Sequence, residues 1–130
     1  MGLDMYLTER TNNNDTETKL LVYWRKANAI HKFLSDKIIE EYGLEIEEIE
    51  NCQNYLISYQ VLSDLMDTCQ RVLQHRELAP HELPTYQGFF YGSYDYDDWY
   101  FEKVKETIQQ IQPILNQYNP EDMFVYSVWW

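Results

Sequence analysis

The chain has 130 residues and a formal charge of −12, from 22 acidic and 10 basic side chains. That length fits a single domain, residues 1–130, around one core, and that charge excludes a direct nucleic-acid binder, which needs a basic footprint on the phosphates, and equally an anionic membrane surface. With 45% hydrophobic residues and twelve Tyr, the composition is globular and rich in a side chain that packs while keeping a hydroxyl for a partner.

The charge is uneven. Residues 1–37 hold six basic and five acidic residues, whereas residues 38–130 hold four and seventeen, so the negative field belongs to the later part and favours basic partners. No stretch approaches the roughly 18 apolar residues of a membrane span, and Met1-Gly2-Leu3-Asp4 opens no apolar leader. Cys52 and Cys69 are too few for a secreted disulfide scaffold. A soluble, cytoplasmic protein is expected, without a membrane partner.

Leu3, Met5 and Leu7 alternate with polar residues and predict a strand over about 2–9. Residues 11–16 form a polar turn. Leu20, Trp24, Ala27, His31, Leu34 and Ile38 recur at steps of three and four and predict the longest helix, about 17–42, terminated by Gly43. Lys19, Arg25, Lys26, Lys32 and Lys37 make it the only basic element. From Glu40 to Glu50 six Glu occur in eleven residues, punctuated by Leu44, Ile46 and Ile49, the pattern of an acid-coated turn or short helix.

Tyr55-Leu56-Ile57 reads as a short strand, and Ser58 caps a helix to about Arg76 whose apolar face includes Leu62, Leu65, Met66, Cys69 and Val72. Residues 78–84, with Pro80 and Pro84, read as a loop. Gly88 to Tyr100 is crowded with aromatic rings and contains no Lys or Arg. Ser93 or Asp95 can cap a third helix with Asp97 and Asp98 in its first turn, where carboxylates suit the helix dipole. That helix continues through Leu115, with Pro113 kinking it or starting a new turn. Residues 119–122 turn into a strand over 123–130, free to pair with the first strand. The expected fold is α+β, with three principal helices and a small antiparallel sheet formed from the N- and C-terminal strands.

Several residues bear on function. Glu40, Glu41, Glu45, Glu47, Glu48 and Glu50, with Tyr94, Asp95, Asp97 and Asp98, form one or two acidic, Tyr-bearing faces suited to a partner's Lys/Arg groove. Helix capping and solvation are the competing explanation for the same acids. His31, Cys52 and Cys69 are ligand types for a structural zinc, although their spacing matches no zinc signature. The cluster Asp95, Asp97, Asp98 and Glu102 has no nucleophile or base beside it in sequence. A binding protein without catalytic activity or obligate cofactor is therefore expected, with a small metalloprotein or metal-dependent hydrolase as the alternative.

Met1-Gly2-Leu3-Asp4-Met5-Tyr6-Leu7, Tyr23-Trp24-Arg25-Lys26-Ala27-Asn28-Ala29-Ile30-His31, Asn51-Cys52, Leu83-Pro84-Thr85 and Gly88-Phe89-Phe90-Tyr91-Gly92-Ser93, with Tyr96-Asp97, resemble a small, functionally uncharacterised protein family of phages and prophages. The resemblance spans nearly the whole chain and implies a host-cell cytoplasmic setting. Setting and charge together are similar to those of anti-CRISPR and other anti-defence proteins. The implied function is inhibition of a host defence nuclease, a Cas9-type effector being the most specific example, by covering a basic nucleic-acid-binding surface. The inhibitor would act as a monomer or small homo-oligomer.

Overall fold

A computed structural model describes residues 3–9, 19–43, 54–85 and 95–129. Within them the fold is α+β. Four strands, β1 (Asp4–Glu9), β2 (Leu20–Arg25), β3 (Asn54–Ser58) and β4 (Met123–Trp129), form one antiparallel sheet in the order β2-β1-β4-β3. The helices are α1 (Asn28–Tyr42), α2 (Tyr59–Gln74), the one-turn α3 (Ala79–Glu82) and α4 (Asp98–Gln117).

Alternation along the strands assigns the two faces of the sheet. Met5 and Leu7 on β1, Val22 and Trp24 on β2, Ile57 on β3, and Phe124, Tyr126 and Val128 on β4 are buried. They form one apolar cluster with Leu34 and Ile38 of α1, Leu62, Leu65 and Val72 of α2, and Val104, Ile111 and Ile114 of α4. Asp4, Tyr6 and Thr8, Tyr23 and Arg25, and Val125 and Ser127 lie on the opposite face and stay partly or fully exposed. The terminal strands pair as expected, from Asp4 opposite Trp129 to Glu9 opposite Phe124.

Four polar contacts tie the layers together, each satisfying a group that would otherwise be costly to bury. Trp24 Nε1 donates to Thr107 Oγ1 at 2.9 Å, joining β2 to α4. The Tyr126 hydroxyl and His31 Nδ1 lie 2.6 Å apart, joining β4 to α1, with Ser35 Oγ 3.3 Å from the same ring. The Tyr59 hydroxyl donates to the Leu115 carbonyl at 2.6 Å, and that of Tyr100 to the Leu83 carbonyl at 2.7 Å.

The structure corrects the reading of residues 17–42 as one helix. Leu20–Arg25 is an edge strand, Lys26 turns the chain with φ of +55°, and helix begins only at Asn28. The three-and-four spacing is genuine at His31, Leu34 and Ile38, but Val22 and Trp24 also alternate. In a stretch rich in aliphatic and aromatic residues, cross-strand pairing with β1 decides the outcome. Lys19, Arg25 and Lys26 consequently sit on or beside the edge strand, and not on α1.

Smaller differences follow from local chemistry. Within residues 78–84, expected as loop, Leu78 ends a 3-10 turn that starts at Arg76, and Ala79–Glu82 form α3, with Pro80 inside its first turn where a missing N–H costs nothing. Helix α4 runs on through Pro113. Its cap is neither Ser93 nor Asp95: the Asp97 side chain accepts from the Tyr100 N–H at 3.1 Å, and only Asp98 lies in the first turn. Ser58 caps α2 as expected, through the Val61 N–H. Gly43 ends α1 in the left-handed conformation, its N–H bonded to the Ile39 carbonyl.

Candidate interaction surface

Of the acidic residues singled out in the sequence, Glu40, Glu41, Asp95, Asp97, Asp98 and Glu102 are described, and all six are exposed. Glu45, Glu47, Glu48, Glu50 and Tyr94 lie outside the described residues, as does Cys52. Glu40 and Glu41 occupy the last turn of α1, a helix with no basic residue there. Carboxylates at a helix C-terminus oppose the dipole, so capping does not explain them. Asp97 and Asp98, by contrast, have a structural purpose at the start of α4.

Helix α1 links these groups. Three hollows lie along its exposed side. The first, about 20 Å³, is lined by Lys26, Ala29, Asp95, Trp99 and Lys103 among others. The second, about 200 Å³, runs past Lys32, Phe33, Asp36, Lys37, Glu40 and Glu82. The third, about 360 Å³, is bounded by Lys37, Glu40, Glu41, Ser58, Gln60 and Asp64. The first two share Ala29, and the last two share Lys37 and Glu40. Together they make up a furrow in three parts beside a helix roughly 20 Å long at 1.5 Å per residue. Asp95 stands at one end, Glu40, Glu41 and Asp64 at the other.

Within the furrow several cations are already engaged. Lys32 pairs with Asp36 at 2.7 Å and Lys37 reaches Asp64 at 3.9 Å. Lys103 pairs with Glu106 at 3.2 Å and lies 4.3 Å from the centroid of Trp99, itself 49% exposed. Glu40 and Glu41 make no ion pair among the described residues. The arrangement offers exposed carboxylates and a half-exposed indole beside a row of hollows. Those are the elements of a polar rim around aromatic anchors.

The two candidate metal ligands among the described residues, His31 and Cys69, are both interior. His31 is 1% exposed, and burial holds its imidazole down to about 4, hence neutral at pH 7. Cys69 is fully buried and free, and burial pushes its thiol up to about 12, which removes the thiolate that would act as ligand or nucleophile in that environment. The described residues include no group of three His, Cys, Asp or Glu arranged to hold a metal ion. No described helix is long and apolar enough to cross a membrane.

The sequence did not reveal the furrow or the partners of its cations, because both depend on α2 and residues 82–85 meeting α1 in space. Nothing in the sequence marks Trp99, in the first turn of α4, as a surface residue. Comparison with protein-family models, curated proteins and solved structures found no match to this chain.

Proposed function

We propose that this chain is an acidic, phage-type binding protein that inhibits a host defence nuclease by covering a basic nucleic-acid-binding surface. The observation that carries the reading is the row of hollows along α1, bordered by exposed Glu40 and Glu41, which make no ion pair among the described residues, and by Asp95, on a chain of charge −12. Carboxylates at such spacing match cations that otherwise hold phosphates, and the net field raises the rate of encounter with a basic protein. Trp99, together with the ring of Phe33, supplies the apolar anchors.

A direct test uses a purified guide-loaded nuclease of the Cas9 type and a labelled DNA target. Added protein is expected to suppress target binding and cleavage at low ionic strength when mixed before DNA, and to lose that effect as salt rises. Undiminished cleavage at saturating protein and low salt would remove the Cas9-type assignment. Undiminished activity across a panel of basic nucleases would remove the inhibitor reading itself.

A further inference from the structure

The two edges of the sheet are treated differently. On β3, the Leu56 N–H and carbonyl, which point away from β4, are both engaged by the Tyr42 hydroxyl, at 3.2 and 3.4 Å. That edge is closed by a side chain. On β2 the Lys26 N–H donates to the Leu3 carbonyl at 2.7 Å, and with the register Met5↔Trp24 and Tyr6↔Tyr23 this turns Trp24 and Val22 towards β1. Tyr23 and Arg25 therefore direct their N–H and C=O groups outward, and no described strand pairs with them.

Charge singles out the same edge. Among the described residues, Lys32, Lys37, Arg71, Arg76 and Lys103 each have a carboxylate or aromatic partner. Lys19, Arg25 and Lys26 are exposed and have none, a condition otherwise found only at Lys105 of α4. An unpaired cationic strand edge on a strongly acidic molecule is complementary to an acidic extended segment. A second copy brings the same cations on the same edge and so lacks the charge complementarity that an acidic segment offers. Beside the edge, the Tyr6 and Tyr23 rings stack at 5.2 Å between centroids, and the Tyr23 hydroxyl donates to Asp4 at 2.7 Å. This fixes an aromatic shelf next to Arg25.

We infer that the free edge of β2 is a docking strand for an extended acidic segment of a partner protein, which adds to the sheet through the outward main-chain groups of Tyr23 and Arg25 and is selected by Lys19, Arg25 and Lys26. The site adjoins the first hollow of the α1 furrow at Lys26 and takes a ligand of opposite charge.

The test uses the full chain and three peptides of about eight residues, the length of one strand: alternating Glu and Val, alternating Lys and Val, and the Glu-Val peptide N-methylated at every residue, so that neither of its edges can donate. The Glu-Val peptide is expected to shift the Tyr23 and Arg25 amide resonances and slow their hydrogen exchange. The Lys-Val and N-methylated peptides should bind at least about tenfold more weakly, as should the Glu-Val peptide against Lys19→Glu/Arg25→Glu. Both substituted side chains are exposed, and the peptide comparisons on the unsubstituted chain decide the matter even if that variant folds poorly. Amide shifts confined to other elements, indifference to N-methylation, or a peptide-free dimer joined through β2 would each overturn the proposal.

Discussion

His31 shows how one buried residue links folding to pH. Its ring sits between Tyr126 and Ser35 in the core, and desolvation lowers its pKa to about 4 from an ordinary 6.5. Below pH 6.5 the unfolded chain takes up a proton that the folded chain refuses, so stability falls as pH drops towards 4 and is unaffected by this group above about 7. The shift corresponds to about 3 kcal/mol at 1.36 kcal/mol per unit. Urea unfolding at pH 7 and pH 4.5 should reveal the loss, and His31→Gln should flatten this part of the slope. Asp97 separates capping from binding. Asp97→Ala should lower stability by about 1 kcal/mol through loss of the bond to Tyr100, whereas Asp97→Asn keeps the cap and removes the charge. Equal melting temperatures for the unsubstituted and Asn chains, with the Ala variant below both, would establish the capping role. The sequence revealed the inward orientation of His31 and Cys69, since both fall on apolar helical stripes. It did not reveal Tyr126 as the partner of His31, because that contact joins residues 95 positions apart.

At the scale of elements, local patterning worked where one period stood alone. Alternation in β1, the Ser58 cap of α2 and the aliphatic spacing of α4 each correspond to the structure. It failed across residues 17–42, where period-2 and helical spacings overlap and only pairing with β1 separates them. Lys26 marks the boundary: a left-handed φ on a side chain with a Cβ costs about 1 kcal/mol, held in place by its bond to Leu3 and by the start of α1. Lys26→Gly should therefore be neutral or stabilising by up to about 1 kcal/mol, whereas Lys26→Val should destabilise, both measured by chemical denaturation. Tyr42 performs a comparable task at the other edge. Tyr42→Phe deletes the group that closes Leu56, so the Leu56 amide should exchange faster while the β1 amides remain protected. An unchanged rate at Leu56 would mean that the hydroxyl does not seal the edge.

On the scale of the whole molecule, charge is sorted by surface. At the β2 edge Lys19, Arg25 and Lys26 have no ion-pair partner among the described residues, the furrow along α1 carries exposed carboxylates, and the buried core among the described residues holds no charged side chain. Composition predicted an acidic binding protein, but it could not say that Glu40 and Asp95, distant in sequence, border hollows along the same helix. That depends on how α1, α2 and α4 pack. The central claim is that this row of hollows engages a basic protein surface, and the most direct measurement is the affinity for a purified Cas9-type nuclease at about 50 and about 300 mM salt, for the unsubstituted chain and for Glu40→Gln/Glu41→Gln/Asp95→Asn. The account predicts at least about tenfold weakening with salt, and a comparable loss on substitution at low salt that adds little at high salt. Affinity indifferent to both salt and substitution, or no binding at low salt, would contradict it.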